Sequence, residues 1–221
     1  MQSCLDADFY APRRCLREPI HELWKVAETL KQAVEAHLAG YCREAEALLG
    51  STNNLTTREW IESLWGSEKE HPEQKLYRRF REVSGSPPRL PKAERIPIRM
   101  PNPEEQAVII AHFGRYCAFC GLPVIRAQVR EKLHRVYPDS VPWGRSNKSQ
   151  HSAFQALWLQ FDHVLPHSRG GDNCLSNIVI TCAGCNYGRS DNTLEELGLL
   201  DPRLRAPAVG SWDGLEKVLT P

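Results

Sequence analysis

Two Cys-x-x-Cys pairs, Cys117-Ala118-Phe119-Cys120 and Cys182-Ala183-Gly184-Cys185, supply four thiolates. The two-residue spacing lets both sulfurs of a pair reach one ion from a single turn, and four sulfurs suit tetrahedral zinc. Such an ion has no open position, so it is expected to be structural and to lend its binding energy to the fold. Gly121 after the first pair fits a tight knuckle turn. Four unconnected core cysteines, or a redox pair, are the competing readings. The redox reading lacks a thioredoxin-like strand–helix context at either pair. Cys4, Cys15, Cys42 and Cys174 are left over and read as ordinary thiols.

Chemistry must then come from the stretch between and just after the pairs. Leu159-Gln160-Phe161-Asp162-His163-Val164 leads into Leu165-Pro166-His167-Ser168-Arg169, followed by the turn cluster Gly170-Gly171-Asp172-Asn173. Ser176-Asn177-Ile178-Val179-Ile180-Thr181 runs into the second pair, and Asn186-Tyr187-Gly188-Arg189 follows it. A neutral imidazole such as His163 can accept a proton near neutral pH. Asp162 is a hard oxygen ligand for a divalent cation, and strand alternation turns it to the side opposite His163. An isolated Asp-His pair is most often a surface pair; the framework around this one argues otherwise. His167, Arg169 and Arg189 read either as phosphate contacts or as solvated loop groups.

Taken together, Cys-x-x-Cys, Asp-His-x-x-Pro-x-Ser-x-Gly-Gly and Asn-x-x-x-x-Cys-x-x-Cys-Asn resemble the HNH endonuclease family in its zinc-stapled, McrA-like branch. The resemblance covers about residues 113–192. It implies a ββα-metal fold that hydrolyses phosphodiester bonds and leaves 5′-phosphate and 3′-hydroxyl ends. It implies His163 as general base, Asp162 and Asn186 as ligands of a catalytic cation, and Asn177 as the residue that ties the loop together. With oxygen ligands at both positions, Mg²⁺ or Mn²⁺ fits better than zinc. DNA, double-stranded, is the expected substrate, and restriction or anti-phage defence the expected setting.

The elements that must hold these residues give an α+β chain. Residues 1–85 read as a helical domain. Ile20, Leu23, Trp24, Ala27, Leu30, Val34 and Leu38 share one helical face, with Gly40 as a stop. A second helix is expected over Cys42–Leu49. A capping box at Thr56–Glu59 is expected to open a third before Trp60, Ile61 and Leu64, and a fourth is expected over 72–83. Residues 86–103 form a basic, proline-rich linker. From Lys75 to Arg99 eight Lys or Arg face only Glu82 and Glu94, so Arg89, Lys92, Arg95 and Arg99 read as a solvated linker or as a phosphate-tracking arm. Residues 104–200 form the nuclease domain, with strands over 157–164 and 178–181 and a basic insert over 121–157. Residues 201–221 form a tail with no legible signal.

The net charge of +1 excludes binding by bulk positive charge but not a local basic groove. The chain has no apolar run of membrane-spanning length and no signal-peptide core in its first twenty residues, so a cytoplasmic protein is expected. Two alternatives stand beside catalysis. One is a zinc-dependent nucleic-acid-binding module, which has no need of Asp162, His163 and Asn186 together. The other is a nuclease subunit active only with a protein partner docked on the helical domain, through an apolar face around Trp24 or Trp60.

Overall fold

The N-terminal helices pack into the same core as the cysteine-bearing region. The computed structural model describes residues 11–220; Cys4 lies outside them. Helix α1 (His21–Leu38) buries Leu23, Val26, Ala27, Leu30, Ala33 and Val34. The buried stripe is therefore turned toward Val26 and Ala33 relative to the expected face, and Trp24 and Leu38 are exposed. Helix α2 (Cys42–Ser51) folds back against α1. Helix α3 (Leu55–Trp65) is capped by Asn54, whose side chain accepts the Thr57 N–H at 2.9 Å. The cap thus lies before the expected Thr56 box. Trp60, Ile61 and Leu64 are fully buried, so Trp60 is a core residue and not a docking anchor. Only a short helix, α4 (Gln74–Tyr77), forms in the next segment. Beyond it the chain is drawn off by tertiary bonds, the Arg81 N–H donating to the Glu196 carbonyl.

A two-stranded antiparallel sheet carries the motif. Strand β1 (Leu159–His163) pairs with β2 (Ile178–Cys182) in the register Leu159 with Cys182 through His163 with Ile178. Every residue of β2 is buried. Helix α5 (Pro103–Phe113) packs on it, and α8 (Ala183–Arg189) packs on both strands. Helix α5 starts at the last residue of the proline-rich linker and opens the nuclease domain, where no helix was expected. Its signal was local: Asn102 accepts the Glu104 and Glu105 N–H groups, the Glu105 carboxylate accepts the Asn102 N–H, and Pro103 sits at the first helical position.

Contact between α3 and α8 is close because α8 carries glycines where it meets the N-terminal helices. A Cβ on Gly184 would lie 2.9 Å from Leu64 and 3.0 Å from Trp60; one on Gly188 would lie 2.7 Å from Leu16. The insert is also built into the core, through α6 (Ala127–Val136) and α7 (Ser152–Ala156). After α8, Ser190 takes a left-handed backbone (φ 56°) and Thr193 caps α9 (Leu194–Leu197), so the break expected near Gly188–Asn192 is present. The tail packs as well: Trp212 Nε1 donates to the Val124 carbonyl, Arg115 pairs with Glu216, and Leu215 and Val218 are buried. Among the described residues no helix is long and apolar enough to cross a membrane.

His151 caps α7 from within the core. Its Nδ1 accepts the Phe154 N–H and its Nε2–H donates to the Leu49 carbonyl, so the ring is built in as the neutral tautomer. Burial pulls its pKa from 6.5 down to about 4. Stability from this group is therefore present above its unfolded pKa and is lost as pH falls through the window from 6.5 to about 4. The expected result at pH 5.5 is a neutral, Nε2-protonated His151 in long-range ¹H–¹⁵N spectra, when exposed histidines are charged. An imidazolium signal from His151 at that pH would contradict the buried cap.

Candidate active site and cysteine cluster

The four cysteines converge. Cys117 and Cys120 flank a turn closed by the Gly121 N–H on the Cys117 carbonyl, with Gly121 at φ +78°. The Ala118 N–H donates to the Ile180 carbonyl and so ties this knuckle to the middle of β2. Cys182 ends β2 and Cys185 lies in the first turn of α8. In each pair the second cysteine's N–H points at the first sulfur, at 3.5 Å. All four Sγ atoms lie within 4.8 Å of one another, and Cys120 and Cys182 are 3.7 Å apart. Zinc–sulfur bonds of about 2.3 Å at tetrahedral angles require sulfurs about 3.8 Å apart. The cluster is compatible with a structural zinc ion. Cys15 is buried outside the cluster, and Cys42 and Cys174 are exposed.

A pocket of about 670 Å³ opens beyond the end of β1. It is lined by Asp162, His163, His167, Asn186, Tyr187 and Arg189 on one side and by Lys92, Arg95, Ile96, Pro97 and Arg99 on the other. Asp162 and His163 occupy successive strand positions, yet both border this pocket.

His163 is held in one tautomer. Its Nε2 lies 2.8 Å from Asn173 Oδ1, and the Asn173 amide nitrogen donates to the Ile98 carbonyl at 2.9 Å. The carbonyl can only accept, so the Asn173 oxygen must face the imidazole and Nε2 must carry the proton. That leaves Nδ1 as the ring's acceptor. Burial pulls the His163 pKa down, against the pull of Asn173 and Asp162, which favours the neutral ring. Neither Asn173 nor the strap carbonyl was singled out from the sequence. The sole local hint was an amide in the turn cluster.

Asp162 is almost fully buried. Its Oδ1 accepts from Arg189 Nη2 at 2.5 Å and its Oδ2 from Arg189 Nε at 3.1 Å. Burial pushes the carboxyl pKa up, and the guanidinium opposes the rise. Each carboxylate oxygen keeps a second lone pair. Asn186 donates through Nδ2 to Gln160 Oε1 at 3.4 Å, which turns its amide oxygen away from Gln160. Two hard oxygen donors therefore border the pocket beside the imidazole, a set that fits a divalent cation. Asn177 bridges the loop. Its Oδ1 accepts the Leu165 N–H, while Nδ2 donates to the Leu165 and Asp172 carbonyls. The same loop passes so close that a Cβ on Gly171 would lie 1.8 Å from the Leu165 oxygen.

The cations divide into two groups, and here the phosphate reading of two arginines needs correction. Arg189 is 1% exposed and also donates to the His163, Val164 and Asn192 carbonyls. Arg169 is buried on Glu196, with bonds of 2.9 and 2.7 Å, and donates to the Asp191 and Pro87 carbonyls. Both guanidiniums are committed inside, because a buried carboxylate needs a fixed partner. The cations left facing the pocket are those of the strap. Leu90 N–H donates to the Ser168 carbonyl and His167 Nε2 to the Ile96 carbonyl, so the proline-rich segment is docked along the loop. Lys92, Arg95 and Arg99 line the pocket; Arg89 pairs with Asp191 on its flank.

Residues 151–199, from α7 through both strands to just past α9, match the family model described as HNH endonuclease. The match makes this part of the chain similar to HNH endonuclease domains, and a domain of that kind suggests a nuclease acting on nucleic acid. No curated protein and no solved structure matches the chain.

Proposed function

We propose that the protein is a divalent-cation-dependent DNA endonuclease of the zinc-stapled, McrA-like HNH branch. The observation that supports this most directly is the imidazole of His163. It is held by Asn173 so that Nδ1 is free to accept a proton, beside two oxygen donors and opposite a basic wall. In this reading Nδ1 takes the proton of a water attacking the scissile phosphorus, and Nε2–H stays on Asn173 throughout. Asp162 and Asn186 would hold the cation. When bound, that ion neutralises charge on the phosphate and on the leaving 3′ oxygen. Arg189 keeps Asp162 ionised and aimed, and Asn177 keeps the loop shut. Cleavage leaves 5′-phosphate and 3′-hydroxyl ends. Duplex DNA is the substrate this reading favours, and restriction or anti-phage defence in the cytoplasm is the role that the family resemblance supports.

The test is incubation of the purified chain with plasmid, linear duplex and single-stranded DNA, with Mg²⁺ or Mn²⁺ and with EDTA. Metal-dependent cutting of DNA is expected. Tight binding with no cutting under any metal would leave a non-catalytic zinc module in its place. Phosphate tracking by the strap is checked by salt dependence. Replacing Lys92, Arg95 and Arg99 with Ala should weaken duplex binding and flatten log K against log salt by up to about 0.9 unit for each phosphate that is no longer neutralised. Zinc content should be unaltered. A slope equal to wild type would reduce the strap to a linker.

A further inference from the structure

We propose that the aromatic cleft beside the catalytic pocket is a nucleobase site, taking a base turned out of the strand whose phosphate lies at His163; this rests on the nuclease reading above. The cleft has a volume of about 390 Å³ and is lined by Trp65, Trp158, Tyr187, Asn147, Gln150 and Gln155. Tyr187 also lines the catalytic pocket, so the two cavities share a wall. An extended nucleotide places its base next to its own phosphate, and two cavities that share the Tyr187 wall offer neighbouring places for the two.

Its walls suit a flat aromatic ligand. The Trp65 and Tyr187 rings stand edge to face, with centroids 5.0 Å apart and planes at 83°; Trp158 leans toward Tyr187 at 6.4 Å and 55°. Trp158 is braced from behind by Trp143, and the Arg130 guanidinium stacks over Trp143 at 3.8 Å. Yet the three lining rings are not closed over: Trp65 and Trp158 are half-buried and Tyr187 is 43% exposed. Stacking on such faces accepts any base.

The amides supply a polar edge with a fixed sense. Gln155, 2% exposed, accepts from Arg58 Nη1 at 2.6 Å and donates to Gln150 Oε1 at 2.9 Å and Asn147 Oδ1 at 3.4 Å. Asn147 therefore turns its oxygen inward to Gln155. Its amide N–H₂ is left to donate, which suits the carbonyl oxygens and ring nitrogens of a base edge. Aromatic faces with an oriented donor, set next to a basic pocket, match the general design of sites that hold extruded or unpaired bases.

The test compares two single strands of equal length and charge, oligothymidylate and the fully abasic deoxyribose-phosphate strand. Binding is measured with EDTA-treated, zinc-retaining protein by competition against a labelled oligonucleotide. The phosphates are the same, so any difference comes from the bases. Oligothymidylate is expected to bind between about fivefold and a hundredfold more tightly. Trp65→Ala and, separately, the exposed-site change Asn147→Ala should move that ratio toward one. Equal affinity of the two strands for wild type, or a ratio that neither variant changes, overturns the proposal. Metal-dependent cutting of DNA by the same preparation is scored in parallel. A base preference without cutting would sink the nuclease reading and leave the pocket; cutting without a base preference would do the reverse.

Discussion

His163→Ala is expected to lose at least about a hundredfold in DNA cleavage, the lower end of what a positioned general base contributes. The reason is local. His163 joins a fixed tautomer to a ring acceptor in the pocket that Asp162 and Asn186 also line, and its Nε2 is spent on Asn173. Alanine removes the proton acceptor but leaves Asp162, Asn186 and the strap cations in place. Single-turnover rates at saturating protein, together with DNA affinity measured in Ca²⁺, separate the effects: the rate should collapse and the affinity should hold. Asn173→Ala should fall between the two, because it frees the ring without deleting it. A His163→Ala protein that cuts at the wild-type rate would remove His163 from the mechanism.

Loss of one cysteine of the cluster is expected to be as severe for the fold. Cys182 is fully buried, ends β2 and caps α8, while its partner knuckle is tied to β2 through Ala118. A four-thiolate zinc site would therefore join Tyr116 and its neighbours to the helix that carries Asn186. Structural zinc sites in small domains contribute on the order of 10 kcal/mol of folding free energy. Elemental analysis should find about one zinc per chain that survives brief EDTA treatment, as a closed site predicts. That treatment should still stop cleavage, and added Mg²⁺ or Mn²⁺ should restore it. Cys182→Ser should yield little folded protein by circular dichroism. A soluble, active Cys182→Ser chain free of zinc would defeat the staple reading.

What was legible in the sequence is what short range determines. The cysteine pairs announce themselves by spacing, and both strands fall within a residue or two of where alternation puts them. The first helix follows its apolar period, although the true stripe is turned toward Val26 and Ala33, set by the elements that pack on it, α2 among them. The misses are long-range. Arg189 reads as a surface cation until its partner, 27 residues back along the chain, is seen to be a buried carboxylate. Arg169 finds Glu196 in the same way. The glycines of α8 look like helix breakers, when they are what lets Trp60 and Leu64 approach. Asn173 looks like one more turn residue until a carbonyl 75 positions away orients its amide.

That last hydrogen bond has a bearing on how the chain can vary. The strap's hydrogen bonds to Asn173, which holds the imidazole, and to His167 are made through main-chain oxygens, those of Ile98 and Ile96. Side-chain identity at these two places is therefore nearly irrelevant to the steering of the ring, and drift there should be tolerated. Length is another matter. Between Leu90 and Ile98 a 3₁₀ turn over Lys92–Glu94 is flanked by extended residues, and each extended residue advances about 3.3 Å, more than the whole length of either hydrogen bond. One residue inserted or deleted between Leu90, which is pinned to Ser168, and Ile98 would carry both carbonyls out of reach at once. The segment behaves as a ruler: its letters are free to change, and its count is not.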